Sequence, residues 1–256
     1  MTGDDHALAR ALAEEAGRRL VELRAQGGDP DGLRKTGDRL SHEFLTAELA
    51  ARRPGDVVLS EEGADNPARL AAGRVWIVDP LDGTREFGEP GRTDWAVHVA
   101  LWERSPGDLT AGAVALPAQG RVLSTLEPPP GPEDPDDREA PGRIRIVVSR
   151  SRAPQLVRNI SDLIDAELVP LGSAGAKVAA VVTGEADAYV HGGGFYEWDT
   201  AAPVAVARAA GFHASRIDSA PLAYNQADLL MPDILVCRPA IAGVLLQAIR
   251  EVTDAS

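Results

Sequence analysis

The chain is short of two residues that carry much enzyme chemistry. Of its 256 residues one is cysteine, Cys237. A single thiol excludes an internal disulfide and fits a reducing compartment. It lies in the apolar run Ile234-Leu235-Val236-Cys237, so it reads as a buried thiol rather than a nucleophile. Lysine is almost as scarce: among 26 basic residues only Lys35 and Lys177 are lysines. Codon bias toward arginine explains most of this, and a lysine that survives it still merits inspection. No apolar run approaches the ~20 residues that a membrane helix needs. The N-terminus, Met1-Thr2-Gly3-Asp4-Asp5, is acidic and lacks the basic-then-apolar order of a signal peptide. A cytoplasmic protein is the expectation.

What the chain has in excess is acid. Its formal net charge is −13. Such a field repels a polyanion and argues against binding long nucleic acid. It leaves room for a small phosphorylated ligand, because bound cations and a few arginines reverse the sign inside a cleft. Hydrophobic content of 44% and charged content of 25% are ordinary for a globular chain with a sizeable core.

Periodicity predicts helices over about 5–24 and 38–51. Strands are expected at 57–60, 75–78, 95–102, 111–116 and 121–126. Residues 127–142, EPPPGPEDPDDREAPG, cannot pack and read as a solvated linker. Beyond it, strands at 144–149, 186–190 and 233–237 alternate with helices at 154–164, 174–182, 199–210 and 241–252. The domain reading is an α+β lobe over 1–126, the linker, and an α/β lobe over 143–256.

The most informative stretch is Asp79-Pro80-Leu81-Asp82-Gly83-Thr84, which follows the apolar strand Val75-Trp76-Ile77-Val78. It sets two carboxylates at the mouth of a sheet, with fresh backbone N–H groups just beyond. Carboxylates suit a hard divalent cation and free N–H groups suit an anion. Glu61, after strand 57–60, and Asp199, at the start of a helix, join them. Each acid has a plainer reading. Glu61-Glu62 is a solvated turn, Asp79 and Asp82 are turn residues, and Asp199 is a helix N-cap. Jointly the plain readings weaken, because all four acids reach one carboxyl edge, where α/β sheets place their sites. Two Mg²⁺ ions there would activate a water and stabilise a leaving oxygen. Asp79 is the natural bridge, and Pro80 presents the Leu81 carbonyl to metal. Gly83 and Thr84 offer N–H groups to a phosphate, and the Thr84 hydroxyl can polarise the water.

This pattern, with Glu61-Glu62 upstream and Trp198-Asp199 downstream, resembles the inositol monophosphatase superfamily of Mg²⁺-dependent, lithium-sensitive phosphatases. The resemblance spans nearly the whole chain. It implies a layered αβαβα sandwich of mixed α+β and α/β lobes. It implies metal ligands at Glu61, Asp79, Leu81 (carbonyl), Asp82 and Asp199, holding two or three Mg²⁺. It also implies that Thr84 pairs with an upstream aspartate, here Asp38, to activate water, with Glu61 beside them. The segment Lys35-Thr36-Gly37-Asp38 departs from the usual V-T-x-x-D, so Asp38 reads equally as the start of a helix.

Arg85-Glu86-Phe87 matches the D-G-T-[KR]-E-F form of 3′(2′),5′-bisphosphate nucleotidases, which hydrolyse 3′-phosphoadenosine 5′-phosphate (PAP). Val148-Ser149-Arg150-Ser151-Arg152 is similar to their V-S-R-S-H, and Gly172-Ser173-Ala174 to the superfamily's G-[ST]-A. Arg85, Ser149, Arg150, Ser173 and Lys177 are therefore the expected substrate contacts. Arg152 reads more simply as a solvated surface residue. Gly192, in His191-Gly192-Gly193-Gly194, stands where inositol monophosphatases place an acid toward the sugar, and the loop has no inositol hook. His191 is given no role. The expected activity is release of the 3′-phosphate of PAP to give AMP, a sulfate-assimilation step by resemblance. Inositol-1-phosphate and fructose-1,6-bisphosphate are the rival substrates. A non-catalytic metal- or nucleotide-binding regulator is the rival of another class. Homodimers are common among relatives, and no membrane or nucleic-acid partner is expected.

Overall fold

The computed structural model describes residues 3–132, 142–151 and 153–254. Arg152 and most of the acidic, proline-rich segment lie outside them. Among the described residues seven helices and twelve strands stack in five layers, α-β-α-β-α, the sandwich that the resemblance implied.

Helices α1 (Gly3–Ala25) and α2 (Pro30–Arg52) form the first layer. Leu8, Leu12, Ala16 and Leu20 of α1 recur at helical spacing and are buried. Helix α2 starts eight residues before the apolar periodicity suggests. Asp29 caps it, accepting from Gly32 N–H at 2.8 Å, and Pro30 takes the first turn. Gly32 and Gly37 disguised this start, since glycine is a poor helix former. Gly37 is there for space: a Cβ would lie 2.8 Å from Phe87 Cε1 and 3.1 Å from Leu81 Cδ2. Asp38 is thus inside a long helix, not at its beginning.

The first sheet runs β1 (Val57–Ser60), β2 (Arg74–Asp82), β3 (Ala96–Glu103), β4 (Asp108–Leu116) and β5 (Arg121–Ser124) in spatial order. β1 pairs parallel to β2 and the other pairs are antiparallel. Both faces of β2 are covered, which explains its unbroken apolar run. Trp76 and Val78 pack toward α1 and α2, while Val75 and Ile77 pack into the middle of the molecule.

The middle layer is α5 (Ala174–Val182) and α6 (Glu197–Ala209). α5 is buried from Gly175 to Val182, so apart from Lys177 its side chains are apolar and small. The second sheet runs β10 (His213–Ser215), β12 (Ile234–Cys237), β8 (Ala188–His191), β6 (Arg145–Ser149) and β7 (Glu167–Leu171). Helices α4 (Gln155–Ile164) and α7 (Pro239–Asp254) cover its outer face. β7 was not expected, because Pro170 breaks its pattern; as an edge strand it tolerates the proline. β10 and the ribbon of β9 (Phe195–Tyr196) with β11 (Leu230–Met231) are too short to carry a periodic signal. The central core draws residues from both sides of segment 127–142, Leu59 and Val75 meeting Val147 and Val178. No described helix is long and apolar enough to cross a membrane.

Candidate active site

The fold brings three acids together. One carboxylate oxygen each from Asp79, Asp82 and Asp199 lies within 4.8 Å of the others. β1 and β2 are parallel, so Glu61, just after β1, reaches the same edge as Asp79. The strand does not end at Asp79 as its apolar run does. It continues to Asp82 through a register shift against β3, and Pro80 and Leu81 fall in that irregular stretch. Gly83 follows with φ +85°, a left-handed turn that suits glycine. A Cβ there would meet Ser173 Cβ at 2.9 Å. The short helix α3 (Thr84–Gly88) then begins.

Asp79 Oδ1 accepts from Leu81 N–H at 3.0 Å, while Oδ2 is buried and has no hydrogen-bond partner among the described residues. An unpartnered carboxylate oxygen in the interior is costly, and a cation is the partner it lacks. The three clustered carboxylates offer oxygens, the donors that hard divalent cations prefer, and His98 Nδ1 stands 4.0 Å from Asp79 Oδ2. Burial holds the Asp79 carboxyl well above the usual carboxylate range, and Asp82, Glu61 and Asp199 push the same way. Glu61 stands outside the tight trio and is exposed as a residue, yet its carboxyl is pushed up to about 7, by desolvation first and then by Asp199.

Asp82 behaves oppositely. Burial alone would raise it, but His98 and the Gly175 N–H more than offset that and hold it below the usual range. Its Oδ1 accepts from Ala174 N–H at 3.2 Å and its Oδ2 from Gly175 N–H at 2.6 Å. The first turn of α5 thus grips the carboxylate, as helix N-termini do. Gly175 leaves room for this: a Cβ would lie 2.1 Å from His98 Nε2.

Asp199 is not the N-cap of its helix. It occupies the third position of α6, and its Oδ2 accepts from Tyr196 N–H at 2.6 Å. Its carboxyl is pushed up to about 6, by burial first and then by Asp82. Glu197, two residues earlier, is fully buried and accepts from Asn225 and Gln226 N–H at 2.7 Å each.

Thr84 Oγ1 lies 3.1 Å from Asp38 Oδ1 and 3.0 Å from the Leu81 carbonyl oxygen, and its single proton serves one of them at a time. Burial pushes the Asp38 carboxyl up to about 6 against the opposing Thr84 hydrogen bond.

The expected substrate contacts divide. Arg85 is exposed and pairs with Glu89. Arg150 donates from Nη2 to Glu86 at 2.8 Å and Glu89 at 2.9 Å, and its Nε is buried without a partner among the described residues. Ser149 ends β6, its Oγ 3.4 Å from that of Ser151. Ser173 and Lys177 are internal. Ser173 caps α5 through Ala176 N–H, and Lys177 donates to the Gly172 carbonyl at 2.6 Å over the Tyr189 ring. Sequence reasoning passed over His98, although a lone polar residue in the apolar run 95–101 was its signal. It also passed over Asp94, whose Oδ2 accepts from Gly172 N–H at 2.6 Å and so sets the start of α5.

A sequence profile of the inositol monophosphatase family matches residues 5–254. The chain belongs to the inositol monophosphatase family. It is a phosphatase on that ground and on the names of its relatives. A 3′-phosphoadenosine 5′-phosphate phosphatase of Mycobacterium leprae (strain TN) is 51% identical over 258 residues, covering 97% of this chain and 94% of that one. The 3′(2′),5′-bisphosphate nucleotidase CysQ of Escherichia coli (strain K12) is 33% identical, covering 73% of this chain and 78% of that one. The crystal structure of CysQ from Bacteroides thetaiotaomicron superposes with a TM-score of 0.78 at 30% identity, covering 92% and 97% of the two chains.

Proposed function

We propose that this phosphatase removes the 3′-phosphate of PAP, giving AMP and inorganic phosphate, with Mg²⁺ as its metal. The observation that carries the substrate is the full-length match at 51% identity to a phosphatase named for PAP, with the acid cluster intact. In this reading Asp79, Asp82, Asp199, Glu61 and the Leu81 carbonyl hold the metal. Bound Mg²⁺ supplies an acidified water and offsets charge at the leaving oxygen.

The chain's own groups do the rest. Asp38 takes the Thr84 proton as a hydrogen bond, which turns a Thr84 lone pair toward the water's proton. The N–H groups of Gly83 and Thr84 face the phosphate oxygens at the start of α3. Asp82 is fixed by two N–H groups of α5. The 5′-phosphate falls to the guanidinium groups of Arg85 and Arg150. Lys177 is buried, with its ammonium group on the Gly172 carbonyl rather than on the substrate.

The test is a side-by-side assay of PAP, inositol-1-phosphate and fructose-1,6-bisphosphate with and without Mg²⁺. PAP is expected to show the highest kcat/KM by at least tenfold. A preference for either sugar phosphate would overturn the reading.

A further inference from the structure

We propose that the exposed ring of Tyr196, backed by Trp198, is the shelf on which the adenine of the nucleotide stacks. This deepens the nucleotide reading above and rests on it.

Tyr196 is 45% exposed, unusual for an aromatic residue beside a buried acid cluster. Its position is set by that cluster, because its own N–H donates to Asp199 Oδ2 at 2.6 Å. Its ring lies nearly parallel to Trp198, centroids 4.8 Å apart and planes 16° apart. One face is therefore covered by an aromatic ring, and nearly half of the residue's surface remains open to solvent. Two ties keep the shelf still. Tyr196 pairs with Leu230 across the β9–β11 ribbon, and the Trp198 carbonyl accepts from His98 Nδ1 at 3.1 Å. Leu230, itself 48% exposed, extends the apolar surface beside the ring.

The connectivity of a nucleotide suits this placement. In a 3′-phosphorylated nucleoside the base and the scissile phosphate hang from one ribose, so the base lands a sugar's width from the metal site. Tyr196 is three residues from Asp199 and is bonded to its carboxylate through the backbone N–H, so its ring flanks the acid cluster. The neighbouring loop offers no obstruction, as a Cβ on Gly194 would meet nothing within 4 Å. Stacking on an aromatic face needs no hydrogen-bond code, and it recognises any flat base.

The experiment compares binding of AMP and ribose 5-phosphate, which share sugar and phosphate and differ by the base. Calorimetric titrations of the wild type, Tyr196→Ala and Tyr196→Phe give the ratio of the two affinities. The wild type is expected to prefer AMP at least tenfold. Tyr196→Ala should shrink that preference to about threefold or less, and Tyr196→Phe should keep it. A wild type that binds both ligands equally overturns the proposal, as does a Tyr196→Ala variant that keeps the full preference. If Tyr196→Ala instead converts a wild-type dimer to monomer on gel filtration and leaves the ratio unchanged, the surface joins two copies and the shelf is wrong. PAP turnover by the wild type is read separately, so a failure of the substrate assignment is not mistaken for a failure of the shelf.

Discussion

His98 stands directly across the β2–β3 ladder from Asp79, fully buried, with Nε2 3.2 Å from Asp82 Oδ2. The Trp198 carbonyl can only accept, so the proton on Nδ1 is fixed by that 3.1 Å bond. The other nitrogen faces a carboxylate, and although burial opposes it, Asp82 raises the pKa of the ring above its ordinary value. One side chain thereby ties the strand that carries two acids to the helix that carries the third. His98→Ala removes the facing cation from Asp82 and the donor from the Trp198 carbonyl and should cost at least ~1 kcal/mol of stability, read from chemical denaturation of metal-free protein. An unchanged midpoint contradicts the tie.

The raised carboxyls predict how metal-free stability follows pH. Asp38 and Asp199 are pushed up to about 6 and Glu61 to about 7, with Asp79 raised too. In the unfolded chain such groups titrate near 4. Between those values the folded state binds more protons, so stability falls as pH rises. His98 adds to the fall, since its stabilisation is complete below ~6.5 and lost as pH rises through its higher folded value. Asp82, held low, contributes stability above ~3.9 and is silent in this window. Tm without metal should be lower at pH 8 than at pH 5.5 by at least ~2 °C, and Asp79→Asn should lessen the drop. A Tm that climbs over this range is the contrary result.

Asp79→Asn should separate stability from activity. It removes one negative charge from a crowded, buried cluster, so metal-free Tm should hold or rise. Turnover should fall at least ~100-fold, the upper end for groups that merely support a metal ligand. Asp82→Asn should be as inactive while retaining the fold. Near-wild-type turnover in either variant would falsify the assignment of these acids.

Thr84 and Asp38 should act as one unit. Thr84→Ala and Asp38→Asn should each lower kcat by about 10²-fold with little change in KM. The double variant should be no worse than the weaker single, because each removes the same hydrogen-bonded pair. Multiplying losses in a kinetic double-mutant cycle count against a shared role.

Arg150→Ala should raise KM for PAP about tenfold, the scale of one charge-assisted contact, and affect a substrate with one phosphate much less. Equal losses on both would recast Arg150 as a strut between α3 and β6.

Much of this site was legible in the sequence because its chemistry is local. Asp79 to Thr84 is one contiguous stretch, and its reading as strand, turn and helix start needed no tertiary knowledge. What was illegible is carried by space and long-range pairing. Gly37 leaves a cleft for Phe87 and Leu81, which only the packed fold reveals. Asp199 looked like an N-cap and reaches back from the third position instead. Ser173 and Lys177 looked like substrate contacts, and the fold turns them inward to the start of α5 and to the Gly172 carbonyl. His98 is visible as a polar residue in an apolar strand, but only its register opposite Asp79 gives it a purpose.

The central claim is that converging acids hold cations for hydrolysis of a nucleotide phosphate. Phosphate release from PAP by chelator-stripped protein, followed as Mg²⁺ is added back, tests it most directly. The rate should be at background without metal and rise to saturation with Mg²⁺. Release that persists in excess chelator, or none at saturating Mg²⁺, would contradict the account.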